Sequence, residues 1–580
     1  MNAERILAHF ERIADAPDAI PRMRRFILNL AVRGRLVEQD PADKPALETL
    51  RRIAAERSRL VKFGEIRSEK PVEPLDRQKH VFELPTGWVW VRLSALVLDS
   101  DSGWSPRTEN HARVGEAWGV LKVSAVSWDY FDPTANKQIL PGTQPRIQAQ
   151  IRKGDFLISR ANTVELIARS VLVMDDPINL MMSDKIVRLR LSNLCDHQFL
   201  WLVNNYAEFA RAHYAINATG VSPSMKNVSR DVILGLPVPL PPLAEQHRIV
   251  AKVDELMALC DRLESARVER EATRDRLTAA SLARLNTPDP DPDPATFATH
   301  ARFVLTNLHD LTARPDQIKH LRQTILNLAV RGKLVEQNPT EVPGSELLKQ
   351  VAINFEKLVE EGRLNKPRPV KAISDGEPLF PLPLGWSFAR FNQIAAIQSN
   401  LVDPREYTKM PHIAPDNIEG WTARLLPYST IGEAGVFSSK HLFSAGAILY
   451  SKIRPNLAKV VKVDFDGLCS ADMYPIECLI DKDFLVKFMT TTYFVSQAVS
   501  EDNRVAMPKI NQAALSDILV PIPPLPEQGR IVAKVDALLI LCDRLEASLT
   551  AAYATRQRLL EALLAEALVP TEVPMLKLAG

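Results

Sequence analysis

"VPLPPLAEQHRIVAKVDELMALCDRLE" occupies Val238–Glu264, and "VPIPPLPEQGRIVAKVDALLILCDRLE" occupies Val520–Glu546; the two agree at 21 of 27 positions, 282 residues apart. After the paired prolines, apolar residues fall at Ile249, Val253, Leu256, Cys260 and Leu263, and again at Ile531, Val535, Leu538, Cys542 and Leu545. Steps of four and three predict two long helices, each with one long apolar seam. The first is expected to reach about Leu285, where "TPDPDPDP" (Thr287–Pro294) forbids helix and imposes an extended linker.

A second repeat lies upstream of each helix. "LNLAVRGRLVEQDP" (Leu28–Pro41) returns as "LNLAVRGKLVEQNP" (Leu326–Pro339), and "LPTGW" (Leu84–Trp88) as "LPLGW" (Leu382–Trp386), both at an offset of 298. Met23, Phe26, Ile27, Leu30 and Ala31 make a helical stripe that Gly34 closes as a left-handed C-cap, with Gly332 its copy. A second helix follows, closed by Gly64 or Gly362. The offset then falls from 298 to 282, so the two copies differ by 16 residues in the stretch between these repeats. Two near-identical frames carry two different inserts.

The inserts are rich in short β-prone runs between turn residues: Phe156–Ser159, Ser170–Met174, Lys185–Leu191, Ala447–Ser451 and Lys459–Val463. "GDFLISR" (Gly154–Arg160) and "GAILYSK" (Gly446–Lys452) are among the few pieces that align. One helix is expected in each insert, at Phe199–Tyr214 and Phe484–Val499. The fold class is α+β: two mixed α/β inserts alternate with two long-helix regions in an internal pseudo-twofold repeat. The boundaries are a helical frame at 1–81, the first insert at 82–241, a central long helix at 242–286, the Pro/Asp linker at 287–299, the second frame at 300–377, the second insert at 378–523, a distal long helix at 524–568 and a tail at 569–580.

Composition narrows the function. With 580 residues, 46% apolar and 24% charged, the chain can build several cores, and its five cysteines contain no C-x-x-C pair. Reduced thiols and the lack of an export signal or of an apolar run near ~20 residues give a cytoplasmic, non-membrane expectation. A net charge of +2 demands that any DNA surface be a local patch. There is no phosphate-binding glycine loop, dinucleotide fingerprint, H-E-x-x-H pair or G-x-S-x-G elbow, so no catalytic residue, cofactor site or metal site is assigned to this chain.

What remains is binding. Polar clusters sit inside the differing inserts: Ser159, Arg160, Asn162, Thr163 and Arg169; Ser222, Ser224, Lys226 and Asn227; Lys452, Arg454, Asn456 and Lys459; Lys509 and Asn511. Arg, Lys and Asn are the side chains that fork onto base edges, and Ser, Thr and Lys hold phosphates. Two different readers held in one repeated geometry would leave this pattern.

The P-P-L-x-E-Q-x-R-I-V motif, present twice, and the "ILNLAVRGRLVEQDP" segment with its copy resemble the specificity subunits of type I restriction-modification systems. The resemblance spans nearly the whole chain. It implies that the inserts are target recognition domains, each reading one half of a bipartite double-stranded DNA site. It further implies that the long helices pair as an antiparallel coiled coil, and that two methyltransferase subunits dock on the helices, bringing S-adenosylmethionine for adenine methylation. Two restriction and translocase subunits, using ATP and Mg, would complete a host-defence complex. The alternatives are a DNA-binding structural or regulatory protein with the same frame and no methyltransferase partner, and a self-contained methyltransferase or nuclease.

Overall fold

The computed structural model describes residues 16, 18–67, 75, 82–222, 225–287, 294–499 and 508–568. The chain divides into two compact units, one drawn from 1–268 with 555–580 and one from 269–554. Both divisions fall inside the long helices, which run Leu243–Asn286 and Leu525–Leu568, 44 residues each. At 1.5 Å per residue each is roughly 66 Å long.

The first unit begins with the frame helices Ala19–Val32 and Ala46–Lys62. The first ends in a Schellman turn: Gly34 N–H donates to Ala31 O and Arg35 N–H to Leu30 O, with Gly34 at φ +67. Only glycine suits this position, because a Cβ there would also lie 2.6 Å from Pro85 Cγ and 2.7 Å from Trp88 Cζ2. The chain enters the first insert along Val89–Arg92 and leaves it along Pro237–Leu240, an antiparallel ribbon in which Val89 faces Leu240. The insert is thus closed at its neck. Inside it, Val97–Ser102, Ile186–Leu191, Phe156–Ser159 and Ser170–Leu172 form an antiparallel sheet in that order. A smaller sheet joins Asn136–Gln138, Gly119–Leu121 and Leu180–Met181.

The second unit repeats this plan. Frame helices Pro315–Ala329 and Gly344–Glu360 precede the neck ribbon of Ser387–Arg390 with Leu519–Ile522. Ala395–Ile397, Met473–Cys478, Ile448–Ser451 and Val460–Lys462 form a sheet in the same order as the first insert's. A five-stranded sheet takes the place of the three-stranded one. Two inserts of dissimilar sequence therefore share one central topology.

The frame helix Pro315–Ala329 is the common partner of both long helices in this unit. Arg314 at its start pairs with Glu271 and Asp275, and Leu328 near its end clusters with Leu282 and Leu285, so the first long helix runs alongside it in the same direction. Arg322 pairs with Asp543 and Glu546, and the Tyr553 hydroxyl donates to Ala313 O, so the second long helix runs the opposite way. The two long helices are antiparallel here.

Several expectations need correction. Each insert has two consecutive helices where one was expected: His197–Tyr206 and Glu208–Asn217, then Lys482–Met489 and Thr492–Val499. Ala207 is extended at the first break; at the second, the buried Thr490 and Thr491 hydroxyls turn back onto Lys487 O and Phe488 O, competing with helical pairing. The Pro/Asp linker ends sooner than expected, because a helix runs Pro294–Thr306, and proline is compatible with a first helical turn. Residues 288–293 of that linker lie outside the described residues.

Candidate nucleic-acid interface

The twice-repeated motif is spent on holding the frame together. Glu245, 1% exposed, accepts from Trp88 Nε1 at 3.0 Å and Gln39 Nε2 at 3.1 Å. Gln246 donates to Pro241 O and accepts from the Asp196 N–H, which ties the long helix to the insert's helix Asp196 caps. Arg248 pairs with Asp43. The second copy repeats each bond: Glu527 with Trp386 and Gln337, Gln528 with Pro523 and Asp481, and Arg530 with Glu341. Burial pushes the Glu245 and Glu527 carboxyls above the usual range, against the pull of these donors.

The seams are closed as well. Ile249 and Val253 lie in one core with Leu28, Ala31 and Val32, and Ile531, Val535 and Cys542 in another with Ile318, Ile325 and Ala329. Cys260 is buried, while Leu256, Leu263, Leu538 and Leu545 are half-buried. Ile249, Val253, Ile531, Val535 and Cys542 are corrected from a subunit-docking face to core, because each packs in one cluster with the frame helix of its own copy. Leu259 and Leu541, equivalent across the repeat, are both exposed, 43% and 56%, as are Val268, Leu277, Leu525 and Ile540 on the same helices.

Within the inserts, Phe156–Ser159 and Ile448–Ser451 are the equivalent strands, and each is followed directly by a basic residue. Arg160 N–H donates to Lys185 O, and Arg160 O accepts from Val228 N–H; Lys452 makes the same pair with Asp472 O and Ile510 N–H. The Arg160 guanidinium makes no hydrogen bond among the described residues. Lys452 donates to Ala471 O at 2.6 Å and lies 5.6 Å from the Tyr474 ring centre. Beyond it, Arg454 is exposed in the left-handed region at φ +49, beside exposed Asn456.

Other predicted readers have different work. Ser159 is fully buried, its hydroxyl turned to Leu166 O and Arg169 O. Arg169 points inward, donating to Asn205 O at 3.0 Å with its guanidinium 5.8 Å from the Tyr206 ring centre. Asn511 caps the Gln512–Asp517 helix. Ser159 and Arg169 are corrected from readers to supports, while Asn511 is exposed and engages the cap through its side-chain oxygen. Asn162 donates to Ser127 Oγ and sits on a two-residue ribbon with Lys226, whose ammonium donates to Gly220 O. Thr163 O accepts from Leu166 and Ile167, Asn227 pairs with Thr219 through its backbone, and Ser222 is exposed. Lys459 donates to Pro415 O, and Lys509 pairs with Asp472. Ser224 lies outside the described residues.

Sequence reasoning missed the groups behind the first reader loop. Asn204 and Asn205 are buried in the helix His197–Tyr206, and Arg211 and Tyr214 follow on the next. The signal was present: two adjacent asparagines in "FLWLVNNYAEF" have to find partners if that helix packs. Among the described residues no cluster of three metal-ligating side chains forms, and no helix is long and apolar enough to cross a membrane.

A family model, the type I restriction modification DNA specificity domain, matches residues 98–272 and 383–552. The chain is 28% identical over 569 residues to the type I restriction enzyme EcoAI specificity subunit of Escherichia coli, covering 94% of this chain and 93% of that one. The EcoDI specificity subunit of the same organism is 40% identical over 275 residues, 46% of this chain and 57% of that one. Among solved structures, the HsdS subunit from Thermoanaerobacter tengcongensis is similar at 19% identity and a TM-score of 0.42, over 84% of this chain and 98% of that chain.

Proposed function

The chain belongs to the type I restriction-modification specificity family, a DNA-recognition subunit without an active site of its own, and from that premise we propose that its two inserts read the two halves of a bipartite duplex site. One observation carries this reading. Two inserts of dissimilar sequence, hung on nearly identical frames, set a basic side chain at the same end of the same strand of the same sheet, Arg160 in one and Lys452 in the other. The surrounding loops differ, as separate half-sites would require. Among the predicted readers, Arg160 and Arg454 carry guanidiniums with no side-chain hydrogen bond among the described residues, able to fork onto a guanine edge.

Two methyltransferase subunits are the proposed partners, one per frame copy, because the recurrence of exposed Leu259 at Leu541 suits two copies of one partner. S-adenosylmethionine would belong to those subunits, which flip the target adenine out of the duplex. Two motor and nuclease subunits would bring ATP and Mg for restriction, and the assembly would work in the cytoplasm.

The test is Arg160→Ala and Arg454→Ala, each co-expressed with the partner methyltransferase, followed by mapping of methylated adenines. Each lost bidentate contact is worth about 1–3 kcal/mol of discrimination. Arg160→Ala should relax one half-site and Arg454→Ala the other. Relaxation of both halves by one substitution, or of neither by both, contradicts the reading.

A further inference from the structure

The loop from Arg160 to Arg169 leaves and rejoins the central sheet through Ser159, whose N–H donates to Arg169 O and whose O accepts from Ala168 N–H. Closing it requires Ala168 at φ +55, a conformation that L-residues adopt at a cost. Something must hold it. Behind it, Asn204 Nδ2 donates to Ala168 O at 2.8 Å, and Tyr214 OH donates to Asn204 Oδ1 at 2.7 Å, which fixes the way the amide faces. Arg211 donates to Ile167 O at 2.5 Å and Glu165 O at 3.2 Å. Asn205 accepts from Ser170 N–H and returns a bond to Ser170 O. Four of the six backbone positions from Glu165 to Ser170 are thereby tied to the two helices beneath them.

The second insert makes the equivalent turn differently. Ala458 is left-handed at φ +45, but its carbonyl accepts from the Trp421 backbone N–H, and the neighbouring Lys459 donates to Pro415 O. No asparagine pair stands there among the described residues.

We infer that Asn204, Arg211 and Tyr214 are positioning residues for the specificity of the first half-site alone: without touching DNA they fix the Glu165–Ala168 backbone of the loop that Arg160 and Asn162 open. This rests on the reading of that loop as DNA-facing. The cost of losing them is a broadened half-site, because an unpinned backbone presents the same side chains in several poses.

The experiment co-expresses the full chain with its methyltransferase partner and maps methylated adenines in Arg211→Met, Arg211→Lys, Tyr214→Phe and Arg160→Ala. Arg211→Met and Tyr214→Phe should raise methylation at sites carrying one mismatch in the first half by roughly 5- to 20-fold relative to cognate sites, a share of what a lost base contact gives. Mismatches in the second half should stay rejected. Arg211→Lys, whose ammonium can still donate to both carbonyls, should restore most of the discrimination. Tyr214→Phe removes one hydroxyl only and carries the test if Arg211→Met does not fold. Wild-type discrimination in both, or an equal loss of methylation at all sites, overturns the inference. If Arg160→Ala relaxes the first half-site while the other two do not, positioning fails alone. If Arg160→Ala changes nothing, the DNA-facing reading of the loop fails with it.

Discussion

Gly34→Ala tests how the frame is built, because the structure separates two penalties that usually come together. An L-residue in the left-handed region costs about 1–2 kcal/mol, and the less flexible unfolded chain returns about 0.4–1 kcal/mol. At Gly34 the new methyl would also stand 2.6 Å from Pro85 and 2.7 Å from Trp88, the tryptophan that holds Glu245, and such overpacking costs about 1–3 kcal/mol. The sum is roughly 1–4.5 kcal/mol. Gly64 has the same backbone sign, φ +72, and a Cβ there meets nothing within 4 Å, so Gly64→Ala should cost only roughly 0–1.5 kcal/mol. Both glycines lie in the same unit, so urea unfolding followed by tryptophan fluorescence compares them directly. Equal losses for the two variants would refute the packing argument.

The remaining predictions concern charge and reactivity. Because burial raises the Glu245 carboxyl in the folded chain, the protonated form is favoured there; its contribution is complete below the unfolded value and lost as pH rises through the folded one. Glu245→Gln should therefore gain stability relative to wild type from about pH 4 to pH 7, and a difference that shrinks over that range in urea titrations contradicts it. Burial pushes the Cys195, Cys469 and Cys478 thiols up to about 12. The native chain at pH 8 should react with a thiol reagent far more slowly than the urea-unfolded chain, and rapid labelling of all five cysteines would oppose this. Arg331 donates to the carbonyls of Leu285, Asn286 and Thr287 at the end of the first long helix, so Arg331→Met should speed amide exchange in that last turn. Unchanged exchange would mean the cap contributes nothing.

Much of the architecture was legible because duplication reveals constraint. Gly34 and Gly332 announced their Schellman turns by spacing alone, and the seam at Ile249 and Ile531 named the buried face of each long helix. The partner of that seam was not legible: periodicity shows that a face is apolar, not which helix covers it. The readers were legible only as segments. Ser159, Arg169 and Asn511 have the composition of DNA contacts, but a side chain's direction depends on the tertiary neighbours it meets: Leu166 O for Ser159, Asn205 O for Arg169 and the Ala514 N–H for Asn511. The break at Thr490 and Thr491 escaped notice for a similar reason, since a hydroxyl turned onto its own helix leaves no mark on apolar spacing.

The central claim is that each insert is an independent reader carried by an indifferent frame. Its most direct test replaces residues 82–241, from ahead of the neck strand Val89–Arg92 to just beyond Pro237–Leu240, with the insert of a family member that has a different known target. Methylated adenines are then mapped in cells that also express the partner methyltransferase. The account predicts a methylated motif with one half exchanged for the donor's and the other half unchanged. A folded, active hybrid that keeps the original motif, or alters both halves, would contradict it.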